Sequence, residues 1–302
     1  MKKIVITVGI ILFSFAASAC EICGCGIGNY YIGLLPQFSR SFLGIRYQFS
    51  SFHTNIKDDA AQYSKDLFQT VEVWGGYNIG KRWQVLAILP FNFIHQASDD
   101  GTLNANGIGD IAVIGNYKIF NHSSATEGKK LITQQLWLGA GIKLATGQFN
   151  IDPNEPDLVA LANTQVGSGS NDFILSAVYN ININRFGVNT SGRYKINTTN
   201  SDRYFFGNKF SANSIAYYAF TKAKTTITPN LGLLYDHSEV NKLASDKIAE
   251  TGGYLLSTAA GVEVSFNKIT VGCNAQLPLS QNFASEQTTT KLKGMLHVTF
   301  SL

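Results

Sequence analysis

The chain has 302 residues, with 24 Lys and Arg against 20 Asp and Glu and a formal charge of +4. So small a surplus excludes a nucleic-acid-binding function built on a basic surface. Aromatic residues make up 12%, and Gly, at 28, recurs inside apparent strands, a composition that suits a wall with one lipid face and one aqueous face.

Residues 1–19 read as a signal peptide: two lysines, an apolar run from Ile4 to Ala17, and the small-x-small site Ala17-Ser18-Ala19. Cleavage there makes Cys20 the first mature residue. The run is short for a membrane helix, and no later stretch approaches ~20 uninterrupted apolar residues.

A short segment, 20–37, follows. It carries Cys20, Cys23 and Cys25 in C-E-I-C-G-C-G. Three thiolates so close together favour Cu(I), Zn or an iron–sulfur cluster, and they can supply three of the four ligands of a Zn site. A disulfide is the competing reading, because exported proteins live where disulfides persist. Lipidation of Cys20 is another, although Ala17 stands where a lipobox has Leu. No His follows the second cysteine, which excludes a haem attachment motif. Ile27, Tyr30, Tyr31, Leu34 and Leu35 make this segment apolar and plug-like, suited to entering or capping a lumen.

From residue 38 onward the pattern is all-β. Twelve segments alternate with period two: 38–53, 66–80, 82–95, 107–120, 131–146, 171–184, 186–198, 208–221, 225–238, 252–267, 269–281 and 289–302. Most are longer than the soluble strand norm of ~5–6 residues and long enough to span a membrane when tilted. The first segment sets Leu43, Ile45, Tyr47 and Phe49 against Arg46 and Gln48. The fourth sets Ile111, Val113, Tyr117 and Ile119 against Asp110, Asn116 and Lys118. The last sets Leu292, Leu296, Val298 and Phe300 against Lys291, Lys293, Met295 and His297. Charges fall almost wholly on the second face. A charge facing lipid at mid-membrane costs about 2–4 kcal/mol, so this sorting predicts an antiparallel transmembrane β-barrel of about 12 strands over 38–302. A soluble sandwich also alternates, with shorter strands and a charged outer face.

The connections alternate too. Gly80-Lys81, Asn184-Arg185, Asn267-Lys268 and the link near 221–224 are tight. Long polar links are expected near 54–65, 96–106, 147–170, 199–207, 239–251 and 282–288, and a medium one at 121–130. Short turns belong on the periplasmic side of an outer-membrane barrel and long loops outside.

The second face names the lumen candidates: Arg46, Glu72, Asp110, Lys118, Lys143, Asp172, Arg193, Asp236, Glu263, Lys291, Lys293 and His297. Such charges can set solute selectivity. Closure pairs the first and last strands, so Lys291, Lys293 and His297 are expected beside Arg46. Cys273 falls on the lipid face. No Ser/His/Asp spacing marks a hydrolase, so no enzymatic activity is expected.

Three stretches carry a family resemblance. Gly107-Ile108-Gly109-Asp110-Ile111 with Asn116-Tyr117-Lys118 resembles a G-x-G-D…Y-K/R signature. Gly141 to Gly147 resembles a K-x-P-T-G strand end, with Ala145 in place of Pro. Gly167-Ser168-Gly169-Ser170-Asn171-Asp172 resembles a G-T-G-x-x-D strand start. These are similar to the outer-membrane transporters named for the meta-pathway of phenol degradation, related to long-chain fatty acid type channels. The head from Cys20 to Pro36 looks like that of a Bacteroidetes-type subgroup. The resemblance implies a transporter in the outer membrane of a Gram-negative bacterium. Its partners would be outer-membrane lipid, the barrel assembly machinery and a small, even hydrophobic, solute passing passively through a monomer. The alternative from the cysteine head is a surface metal-handling protein that binds Cu or Zn.

Overall fold

The computed structural model describes residues 40–56, 59–99, 101–125, 131–150, 162–249 and 251–302. The signal peptide, the cysteine head and the start of the first expected strand lie outside the described residues.

The wall opens with β1 (Phe42–Ile56), β2 (Asp59–Ile79), β3 (Trp83–Ser98), β4 (Gly101–Ile108), β5 (Ala112–Ala125) and β6 (Leu131–Lys143). It continues through β7 (Asp172–Ile183), β8 (Phe186–Ile196), β9 (Tyr204–Phe205), β10 (Lys209–Tyr218), β11 (Phe220–Lys222) and β12 (Thr225–Ser238). The chain ends with β13 (Lys242–Leu243), β14 (Asp246–Lys247), β15 (Gly253–Phe266), β16 (Ile269–Phe283) and β17 (Thr288–Ser301). β4 and β5 pair successive lengths of β3, and β10 and β11 pair successive lengths of β12, so each couple is one wall strand. All wall pairs are antiparallel. β17 pairs β1 from Phe42↔Ser301 to Thr54↔Thr288, which closes a barrel of twelve wall strands. Closure leaves no unpaired sheet edge for another chain to extend.

The alternation reads out as two surfaces. On β3, Trp83, Val85, Leu89, Phe91 and Phe93 are exposed while Gln84, Leu86, Ile88 and Ile94 are buried. The same holds around the wall, with Leu43, Ile45, Leu231, Leu233, Val271, Leu296 and Val298 outside. Cys273 is also on this exposed face. Aromatic rings form two bands on it. Trp83–Tyr117 and Tyr218–Phe220 pair at 4.7 Å near the tight turns. Phe91–Phe93, Phe210–Tyr235 and Tyr235–Tyr254 pair toward the other end. Girdles at both interfaces are what a membrane barrel needs.

The lumen face departs from the expected wet lining. Phe42, Trp74, Leu86, Ile88, Ala112, Ile114, Trp137, Ile174 and Val178 form one buried apolar cluster along β1 to β7. Ile215, Leu234, Ala259 and Met295 form another opposite. β3 contributes to the first, because it turns Leu86 and Ile88 inward as well as an apolar row outward. Each fully buried large side chain contributes roughly 1.5–3 kcal/mol, so these clusters stabilise a partly filled interior.

Two expected links are strand instead. β1 runs to residue 56 and β2 starts at 59, and β3 and β4 leave only 99–100 between them. Beyond the membrane both strand faces are wet, so period-two hydrophobicity fades while the hydrogen-bond ladder continues. Two other long links contribute short strands, β9 from 199–207 and β13 with β14 from 239–251, which pair as a separate small sheet. Phe149 and Ala162 pack with Tyr204 and Phe206 there, joining three connections into one cap. The tight turns are as expected: Asn184, Ala223 and Asn267 open two-residue hairpins and Gly80 opens a three-residue one, each with positive φ. The start of β1 and the end of β17 meet at this side, where Leu302 N–H donates to Ser41 O at 2.9 Å.

Candidate channel constriction

The three motif stretches meet at one place on the lumen face. Lys143 ends β6 and faces its register partner Asp172, which begins β7. Asp110 stands in the break between β4 and β5. Lys143 Nζ lies 2.7 Å from Asp110 Oδ2 and 2.7 Å from Asp172 Oδ2, and all three side chains are buried. Two carboxylates so deeply buried must find backbone and hydroxyl donors besides the lysine. They do. Ser168 donates to Asp110 Oδ2 from N at 2.9 Å and from Oγ at 2.7 Å, and Gly147 N donates to Oδ1 at 3.0 Å. Ser170 Oγ and Thr198 N donate to Asp172 Oδ1 at 2.8 and 3.0 Å. Lys143 also contacts Ser168 Oγ.

These bonds seat the described arms of the link between β6 and β7. The arms cross at Gly147 and Gly167, where a Cβ on Gly167 would lie 2.4 Å from the Gly147 carbonyl carbon. No side chain fits there. Just beyond the crossing, Val166 packs on Phe52, Phe68 and Ile94, all lumen-facing, and its carbonyl accepts from Asn92 Nδ2 at 2.8 Å. The arm therefore lies inside the barrel mouth and narrows it. Thr146 repairs the break in the wall: its Oγ1 donates to Gly109 O and accepts from Ile111 N, both at 2.9 Å. Ala145, standing where the resembled pattern has Pro, donates its N–H to Asn171 Oδ1 at 2.9 Å. A Pro has no such donor.

A second ionic group lines the wall nearer the tight turns. Arg46 and Glu72 are register partners on β1 and β2, and Arg46 Nε donates to Glu72 Oε2 at 2.6 Å. The Arg46 Nη2 also contacts that oxygen, and Gln48 Nε2 donates to it at 3.0 Å. Arg46 is fully buried, with its guanidinium 4.7 Å from the Trp74 ring centre. His297 is the register partner of Arg46 on β17. Its Nε2 lies 3.7 Å from Glu263 Oε1, across β16. Gly272 makes the reach possible, because a Cβ there would meet His297 Nε2 at 2.2 Å. Lys293 and Asp236 approach to 3.8 Å higher on the same wall.

Of the sequence candidates, Arg46, Glu72, Asp110, Lys143, Asp172, Glu263 and His297 are buried on the lumen face, and Lys118, Arg193, Asp236 and Lys293 are half-buried there. Lys291 is the exception. It is skipped between Ser51↔Leu292 and Phe52↔Thr290, as the extra residue of a β-bulge, and is exposed. A bulge resets the alternation, which a strict period-two reading carries through unbroken. Ser168 and Ser170 bind the carboxylates from within a motif whose pattern does not itself mark them as donors. Trp74 and Gly272 carried no sequence signal of their role. Cys20, Cys23 and Cys25 lie outside the described residues, and among the described residues no three His, Cys, Asp or Glu side chains gather as a metal site.

A family model described as "Putative MetA-pathway of phenol degradation" matches residues 46–277. Among solved structures, the chain is similar to the COG4313 outer membrane channel from Pseudomonas putida F1, with 14% identity and a TM-score of 0.61 over 89% of this chain and 97% of that one. It is also similar to the beta domain of the Bordetella autotransporter BrkA, with 11% identity and a TM-score of 0.50 over 87% and 100%. These likenesses concern the fold. No curated protein sequence matches the chain.

Proposed function

Because the chain belongs to the family of the putative MetA-pathway of phenol degradation, we propose that its barrel is a passive, constricted channel for small solutes across the outer membrane of a Gram-negative bacterium. The observation that carries this reading is the seated arm inside the mouth. Lys143 is held between Asp110 and Asp172 at 2.7 Å from each, which fixes by charge where the arm rests in the mouth. Solutes would cross by diffusion down a gradient. The arm would set size, and the half-buried Arg193, Asp236 and Lys293 would set charge preference. The charged side chains of both buried groups are engaged with one another and with hydrogen-bond donors rather than turned to a solute, which favours small uncharged or weakly charged solutes. The tight turns, the start of β1 and the end of β17 would face the periplasm.

Planar-bilayer recording and liposome swelling test this directly. The expected result is a small, well-defined conductance that rises when Lys143→Met releases the arm. A folded barrel that passes neither ions nor small sugars, in the wild type and in that variant, would overturn it. A second reading rests on the C-E-I-C-G-C-G head: a metal-handling surface protein that loads Cu or Zn. Metal stoichiometry of the purified protein with and without Cys23→Ser decides it, and no metal in either form ends that idea.

A further inference from the structure

The two ends of the barrel carry charge differently. At the tight-turn end the described hairpins present Lys81, Arg82, Arg185, Lys222, Lys224 and Lys268, all exposed, and no Asp or Glu. At the opposite end the signs mix, with Asp202, Arg203, Glu239, Lys242, Asp246 and Lys247 on the same short loops and strands. The cationic rim lies directly beneath the aromatic band of Trp83, Tyr117, Tyr218 and Phe220. A ring that sits at headgroup depth positions a neighbouring cation at phosphate depth.

One part of the rim is shaped as a seat. A cleft of about 500 Å³ opens between the first tight turn and β5, bordered by Lys81, Arg82, Trp83, Lys118, Phe120 and Trp137, with no carboxylate among its lining residues. It forms because β3 begins at Trp83, opposite Tyr117, while β5 continues to Ala125 paired with β6 and without a neighbour on the β3 side. A bulge at Ile119 turns the β5 chain there. Arg82 is fixed rather than free: its Nη1 donates to Tyr117 Oη at 2.9 Å, and that hydroxyl raises the guanidinium above its ordinary range. On the lumen side Lys118 rests 4.6 Å over the Trp137 ring centre. The cleft thus offers two exposed cations, Lys81 and Arg82, for a phosphate, and Trp83, 54% exposed, as an apolar wall on the lipid side for the chain attached to it.

We propose that this rim binds the phosphate headgroups of anionic phospholipids in the leaflet at the tight-turn end, with the Lys81–Arg82 cleft as the preferred seat. The partner is a lipid surface rather than a transported solute, so the inference stands apart from conduction. Each cation near an anionic surface contributes a small, salt-screened attraction, and six around one rim add up.

The test uses the full mature barrel, solubilised and followed by native mass spectrometry in mixtures of phosphatidylglycerol and phosphatidylcholine. Retained phosphatidylglycerol should exceed phosphatidylcholine, and the excess should fall as salt rises. The double variant Lys81→Gln/Arg82→Gln should cut the excess roughly tenfold or more, the scale of two headgroup cations, whereas Lys247→Gln at the other end should leave it unchanged. Heat-modifiable gel migration confirms that each variant is a folded barrel, and Arg185→Gln should give a smaller loss in the same direction. Equal retention of the two lipids by the wild type overturns the proposal, as does a folded double variant that keeps the full excess. Displacement of the lipid by inorganic phosphate at low millimolar concentration would also overturn it, by showing a free-anion site.

Discussion

The two buried ionic groups on the lumen face are built on opposite plans. Arg46 and Glu72 are register partners on adjacent strands, so the sheet itself brings them together. Asp110, Lys143 and Asp172 are joined through a wall break and a long link, with Ser168 reaching Asp110 across 58 positions. The first group is wall made rigid. The second is a clamp that turns a connection into part of the lumen. The difference teaches that charge in a barrel interior serves two ends, tying strands side by side and deciding where a loop rests.

Substitutions can separate the two plans. The largest effects are expected from Lys143→Met and Arg46→Met, since each leaves buried carboxylate without its cation at a cost of about 3–5 kcal/mol. Their readouts should diverge. Lys143→Met should raise conductance and expose the arms at 144–150 and 162–171 to limited proteolysis while the barrel stays heat-modifiable. Arg46→Met should lower the urea midpoint and leave that link resistant. Identical proteolysis patterns for the two variants would erase the distinction drawn here.

A smaller test sharpens the clamp. Ser168→Ala keeps the backbone N–H to Asp110 but removes the hydroxyl, so about 1.5–3 kcal/mol of charge-assisted bonding is lost. Proteolysis of the link should rise to a level between wild type and Lys143→Met. The smallest test concerns the wall. Gly272→Ala places a methyl where His297 lies, and overpacking of this kind costs about 1–3 kcal/mol. The same change in a His297→Ala background should cost much less. If the two effects simply add in urea titrations, Gly272 is not there to make room for His297.

Much of this molecule is legible before any coordinates. The strands from 225–238 and 269–281 appear almost as read, because lipid on one side and lumen on the other impose alternation residue by residue. The pairing of Arg46 with His297 followed from closure alone. The wall beyond the membrane was harder. β3 and β4 run on through residues read as a loop, since with water on both faces only the backbone ladder holds them, and that ladder leaves no mark on side-chain pattern. Lys291 sits outside the expected lumen face because the bulge that carries it leaves no mark on the alternation.

The sequence by itself determined the barrel, its strand number, its sided wall and the end where the tight turns lie, because these depend on local hydropathy and on turn residues that act within a few positions. Only the tertiary structure decided that three separated motifs form one clamp, that the lumen is partly filled, and that the arm near Val166 lies inside the mouth. Those outcomes depend on contacts between distant segments, such as Gly147 against Gly167, whose energy exists only once the wall has closed around them.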